Sequence, residues 1–288
     1  MPDLKLRFHK DMLVVAPLFT GELLDPERGQ SVPLPNSSRL DLQNHNDECL
    51  EFLNILDEDL IRETHRSFLL AGAQCAATNT LRANRPALQA YGLEDALTEI
   101  NQKGVRLARE VGYEHILATV EILDPEILLE QIKILLPENP DALWLVGSAE
   151  NPQLSAAIAC IRELTDLPII APLGSCLNQN NERGADKRNE ADILYLMGDS
   201  LDKTLQELHR MTRRFAQPLM VCPHAGVPGG ATKQQRNRSL CLLTDNLVNF
   251  ALESRALGVQ FVGTEPGSLP VFTGSASAVL YGLDVKAC

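Results

Sequence analysis

The chain has 288 residues, with 44% hydrophobic and 22% charged residues, enough for one large domain or two small ones with a full apolar core. Its formal net charge of −12 argues against an electrostatic grip on nucleic acid or on an anionic membrane surface. No apolar run reaches the length of a membrane span, and the N-terminal "MPDLKLRFHKDMLVV" has neither an extended apolar region nor a small-residue cleavage site, so the expected location is cytoplasmic. The seven cysteines at 49, 75, 160, 176, 222, 241 and 288 are odd in number, scattered and without a CxxC, the pattern of reduced thiols.

Short runs rich in Val, Ile and Ala alternate with longer amphipathic stretches. "MLVVAP" (12–17) predicts a first strand, and "DEDLIRETHRSFLLAG" (58–72) a helix with an acidic start and a Gly stop. The strand "AQCAATN" (73–79) precedes a helix over 93–112, with apolar residues at helical spacing. "HILATVE" (115–121) and the helix 125–137 form the next pair. "ALWLVG" (142–147) and the helix 152–165, with Pro152 in its first turn, follow. After the strand "LPIIAPLG" (167–174) comes a polar segment, 175–192, readable as a lid over a site or as a solvated loop in place of a helix. "ILYLMG" (193–198) leads into a helix over 200–216, and "PLMVC" (218–222) through a Gly/Pro-rich loop into a helix over 243–258. The last strand, "VQFVG" (259–263), is followed by a weaker helix.

Eight such units in about 250 residues predict a (β/α)8 TIM-type barrel forming a single domain over residues 1–288, in preference to a doubly wound open sheet, because no glycine-rich dinucleotide turn is present. Chemistry in a barrel sits at the C-terminal ends of the strands. Those ends carry Thr78 and Asn79, Glu121, Val146, Asp199, Cys222 to His224, and Thr264 with Glu265.

The stretch 49–110 resembles the homocysteine S-methyltransferase domain family, including the N-terminal module of cobalamin-dependent methionine synthase. The resemblance is carried by Leu53-Asn54, His65, Ala71-Gly72-Ala73, Thr78-Asn79-Thr80 and "YGLED" (91–95). "PHAGVP" (223–228) is similar to that family's Pro-Asn-Ala-Gly-x-Pro turn after the seventh strand. The resemblance implies the same barrel and one-carbon chemistry on a small molecule. In the family three cysteines hold a zinc ion, one after the sixth strand and two after the eighth. The aligned residues here are Asp199, Thr264 and Glu265. The first strand also departs, with "APLFTGEL" (16–23) in place of Asp-Gly-x-x-Gly-Thr-Glu-Leu, and Val146 stands where the family places a Glu for the amino group of homocysteine.

A thiol with a pKa near 8.5 is mostly protonated at neutral pH, and zinc in a thiolate site is what holds a substrate sulfur deprotonated. The expectation is therefore a methyltransferase without thiolate-bound zinc, acting on a small molecule other than homocysteine. Asp199 and Glu265 are its candidate catalytic residues, and Thr78, Asn79 and His224 candidate substrate contacts. Asp199, His224 and Glu265 also form a candidate site for a harder divalent ion such as Mn, Fe or Zn. The competing reading of the carboxylates is helix capping: Asp199 as an N-cap, and Glu265 at a helix start with Pro266 in the first helical position. Cys176 and Cys222 are weaker candidates, and His65 reads as structural. The methyl donor, whether folate, corrinoid or another, stays open, as does a corrinoid protein as partner. The alternative is a non-catalytic paralogue that serves as a ligand-binding or protein-interaction module.

Overall fold

The computed structural model describes residues 3–19, 49–173, 191–198, 200–224 and 233–281. Eight strands form one parallel sheet: β1 (Leu13–Val14), β2 (Cys75–Ala77), β3 (His115–Glu121), β4 (Ala142–Val146), β5 (Ile169–Pro172), β6 (Ile193–Gly198), β7 (Leu219–Pro223) and β8 (Phe261–Val262). Their order is β1-β8-β7-β6-β5-β4-β3-β2. The Val15–Cys75 bridge, with the Ala16 N–H donating to Cys75 O at 2.8 Å and the Gln74 N–H to Val14 O at 2.9 Å, joins β1 to β2 and closes the barrel.

Seven longer helices surround the sheet: α1 (Glu58–Leu70), α2 (Leu97–Val111), α3 (Pro125–Leu135), α4 (Leu154–Arg162), α5 (Leu201–Met211), α6 (Lys233–Ala256) and α7 (Pro270–Tyr281). Their starts follow local chemistry. The Asp57 carboxylate accepts from the Leu60 N–H at 3.1 Å to cap α1, and the Asp124 carboxylate accepts from the Glu126 N–H at 3.0 Å ahead of Pro125 in α3. Ser200, not Asp199, caps α5, its Oγ accepting from the Lys203 N–H. Asp199 and most of the polar segment 175–192 lie outside the described residues.

Strand alternation divides the apolar side chains between two layers. Ile116, Ala118, Val120, Leu143, Leu145 and Val221 face outward and pack beneath the helices with Leu128, Ile158 and Phe250. Leu117, Trp144, Ile170, Tyr195, Met220 and Phe261 fill the barrel interior. Both faces of each strand are buried, which explains why the strands read as continuous apolar runs. Within the interior, Trp144 meets Tyr195 edge-on, with ring centroids 5.7 Å apart. The N-terminal segment closes the barrel's lower end: Leu4 of the 3-10 turn Leu4–Arg7 is buried, and Phe8 packs edge-on against Phe261 at 6.3 Å.

Two expected boundaries differ. The helix expected from 243 begins at Lys233, and the helix after β8 begins at Pro270 rather than Pro266. Gly267 between the two prolines has φ +75°, a left-handed conformation that ends the Glu265-Pro266 segment in a turn instead of continuing it as helix. The capping role considered for Glu265, which required a helix starting at Pro266, is thereby corrected.

Candidate functional site

The upper rim of the barrel carries a pocket of about 290 Å³ lined by Met197, Gly198, Cys222, His224, Glu265 and Pro266. These residues come from the C-terminal ends of β6, β7 and β8, which are hydrogen-bonded neighbours. The backbone fixes their relative heights. The His224 N–H donates to Gly198 O at 2.8 Å, the Gly263 N–H to Val221 O at 2.8 Å, and the Gly267 N–H to Leu18 O at 3.1 Å. Gly198 is required sterically, because a Cβ at this position would overlap the side chain of Thr204, the residue in α5 whose hydroxyl donates to Ser200 O at 2.6 Å.

Within the pocket, His224 Nδ1 meets Glu265 Oε2. Of the two side chains, Glu265 is 17% exposed and His224 48% exposed, so the carboxylate lies behind and the imidazole towards the opening. Cys222 also lines the pocket but is buried, and desolvation pushes its thiol up to about 12. At neutral pH it is a protonated, weakly reactive thiol. Thr264 is buried, its hydroxyl has no hydrogen-bond partner among the described residues, and it is not among the pocket's lining residues.

The other candidates lie elsewhere. Thr78 and Asn79 follow β2 and are buried in a hydrogen-bonded hub. The Asn79 amide donates to Leu50 O at 2.8 Å and to Asn54 Oδ1 at 3.0 Å, while the Asn54 amide donates back to Asn79 O at 2.7 Å and to Ile100 O at 3.1 Å. Thr78 Oγ1 accepts from the Thr119 N–H at 3.0 Å and lies 2.7 Å from Thr80 Oγ1, and Thr80 Oγ1 donates to Thr119 O at 2.8 Å. The Thr-Asn-Thr motif thus ties the end of β2 to β3 and to the helices outside it. His65 is buried between Phe19 and Tyr113, with ring centroids 4.9 and 5.8 Å away, and burial lowers its pKa to about 3. Its imidazole is neutral and structural. Asp199 and Cys176 lie outside the described residues.

At the end of β4, Val146 pairs in register with Glu121 of β3. Glu121 continues the inward-facing series of Leu117 and accepts from Asn84 Nδ2 at 3.3 Å. Position 146 itself offers no acceptor to a ligand. Sequence reading named Glu265, His224, Cys222 and the strand end at Gly198 but missed Met197 and Pro266 as pocket walls. Met197 was accessible from alternation along β6, since it stands two residues after the inward-facing Tyr195.

Residues 29–123 match the family model for homocysteine S-methyltransferase. The chain resembles that family. Methionine synthase of Mycobacterium tuberculosis (strain ATCC 25618 / H37Rv) is 36% identical over 66 residues, and that of Mycobacterium leprae (strain TN) 35% over 66 residues. Each alignment covers 23% of this chain and spans 6% of the length of the methionine synthase it matches. Among solved structures, the homocysteine methyltransferase MmuM from Escherichia coli is similar over almost the whole barrel. Its metallated form gives a TM-score of 0.69 at 16% identity, covering 93% of this chain and 96% of MmuM. Its oxidised form gives 0.67 at 18% identity, covering 96% and 98%. At that identity the likeness shows a shared fold.

The family's zinc chemistry can be tested against the residues present. Of the three positions that the resemblance sets against zinc ligands, 264 and 265 carry Thr and Glu, and 199 carries Asp. Among the described residues, no group of three or more His, Cys, Asp or Glu side chains is gathered to hold a metal ion. Among the described residues that line the pocket Cys222 is the one thiol, whereas a thiolate zinc cage needs several cysteine sulfurs around one tetrahedral centre. Among the described residues no helix is long and apolar enough to cross a membrane.

Proposed function

We propose that this chain is a methyltransferase of the homocysteine S-methyltransferase type whose small-molecule substrate is not homocysteine. The observation that carries the proposal is the His224–Glu265 pair, which lines the mouth pocket at the strand ends where the resemblance aligns zinc-binding thiolates. The fold is like that of a homocysteine methyltransferase, but the positions that the resemblance aligns with thiolates carry Asp199, Thr264 and Glu265, and His224 stands against Glu265. Such a pocket suits a hydroxyl-bearing or cationic small molecule better than a thiolate, because a carboxylate attracts a cation and repels an anion, and an imidazole nitrogen can accept a hydrogen bond from a hydroxyl. Asp199 belongs to the same proposed site through its place immediately after β6.

The test is a transfer assay with 13C-labelled methyl donors of the folate, corrinoid and onium classes against hydroxyl, amine and thiol acceptors. Label is expected in a hydroxyl or amine product. Homocysteine as the preferred acceptor would overturn the reading. A second reading, a ligand-binding module without catalysis, is favoured by the replacement of all three aligned thiolates. It predicts saturable binding in the same panel with no transfer of label.

A further inference from the structure

We propose that His224 is the proton acceptor of the mouth pocket and that Glu265 is its positioning residue, so that the methyl acceptor is a molecule that gives up a proton from the heteroatom that is methylated. This deepens the methyl-transfer reading above and rests on it. A carboxylate can only accept hydrogen bonds, so the imidazole nitrogen facing it must carry the hydrogen. That nitrogen is Nδ1, paired with Glu265 Oε2. In the neutral ring the lone pair then falls on Nε2, the nitrogen across the ring from Glu265. The burial of the two partners follows the same order, with Glu265 17% exposed behind an imidazole that is 48% exposed.

Both residues are held by backbone. The His224 N–H is tied to Gly198 O, and the carbonyl of Glu265 accepts from the Ser268 N–H at 3.2 Å in the turn that Gly267 completes. A base fixed on strand ends is preorganised, and loop motion does not have to be restrained for it to act. The remaining described walls offer no competing base. Met197, Gly198 and Pro266 have no titratable group, and burial keeps the Cys222 thiol protonated.

The proton and electron pairs balance as follows. The acceptor heteroatom uses its lone pair to form the new bond to the methyl carbon. The bond from that carbon to a positively charged donor atom, an onium centre, breaks, and its electron pair stays on the donor atom. The proton leaves the acceptor heteroatom for Nε2, and the resulting imidazolium sits against the Glu265 carboxylate. A zinc-activated thiol is deprotonated before it reacts. Here deprotonation accompanies methyl transfer, so the acceptor must present its heteroatom proton to Nε2.

The test is long-range 1H–15N NMR of the full chain labelled at histidine, recorded at pH 8, with the His224 signals assigned by their loss in His224→Gln. The wild-type spectrum is expected to show His224 protonated at Nδ1 and bare at Nε2, and Glu265→Ala to shift the ring towards the Nε2–H form by several-fold. A wild-type ring protonated at Nε2 overturns the inference. So does a tautomer ratio unmoved in a folded Glu265→Ala, and if that variant does not fold the wild-type spectrum decides alone. Failure of the methyl-transfer assay with the expected tautomer present removes the transfer reading and leaves His224 as the pocket's base.

Discussion

His224 at the end of β7 and Glu265 after β8 meet through Nδ1 and Oε2, one strand apart on the rim of the barrel. The pair is partly exposed, and contacts of that kind between polar side chains contribute at most about 1 kcal/mol to folding. His224→Gln and Glu265→Gln are therefore expected to lower stability in urea unfolding by no more than about 1 kcal/mol each while abolishing turnover. A loss of several kcal/mol in either variant would mark the pair as a structural strut.

Asn79 makes the opposite prediction. Its amide bridges Leu50 O and Asn54 Oδ1 inside the protein, so Asn79→Ala leaves two buried acceptors short of a donor. The expected destabilisation is about 2–4 kcal/mol, and Asn54→Ala combined with Asn79→Ala should cost less than the sum of the two. A stable Asn79→Ala that has lost only ligand affinity would restore the substrate contact expected from sequence.

Gly198 sets a steric limit at the pocket wall. A Cβ there meets the Thr204 side chain, so Gly198→Ala is expected to destabilise by about 1–3 kcal/mol through overpacking. Thr204→Ala should relieve part of this in a double-mutant cycle. Full additivity of the two changes would contradict the contact.

His65 links folding to pH. Its folded pKa is lowered to about 3 by burial, below the ordinary value of 6.5 for the unfolded chain. Between those values the unfolded state binds the extra proton, so stability is fully present above pH 6.5 and falls as pH drops towards 3, by at most about 1.4 kcal/mol per pH unit. His115, whose pKa burial also lowers, acts in the same direction. Urea unfolding at pH 7, 6, 5 and 4 should show this slope, and His65→Phe should flatten it. An identical slope in the variant would assign the effect to other groups.

Much of this architecture was legible in the sequence, for physical reasons. The strands 115–121 and 193–198 have the expected bounds because each is a short, mainly apolar run that ends at a charged or glycine residue. The start of α6 at Lys233 was not legible, since "KQQRNRS" shows no apolar periodicity and stands beside a Gly/Pro-rich stretch. Pro266 and Pro270 both suit a first helical turn, and only the left-handed backbone at Gly267 separates them. Strand counting placed His224 and Glu265 on adjacent strand ends. That the carboxylate turns to the imidazole and away from a helix is a tertiary fact that spacing does not contain.

Homocysteine is expected to bind weakly. Val146 offers its ammonium no acceptor, and the neighbouring carboxylate, Glu121, stands one strand away and already holds Asn84. The deficit should be about 2–5 kcal/mol relative to a site that pairs the charge. Calorimetric titration giving a micromolar Kd would contradict it.

The central claim is that the rim of this barrel works with an imidazole–carboxylate pair where a thiolate zinc cage would otherwise stand. X-ray absorption at the zinc edge, on protein loaded with one equivalent of zinc, tests it most directly. The account predicts at most one sulfur neighbour, from Cys222, the thiol that lines the pocket among the described residues. A shell of two or more sulfur atoms around the metal would contradict it.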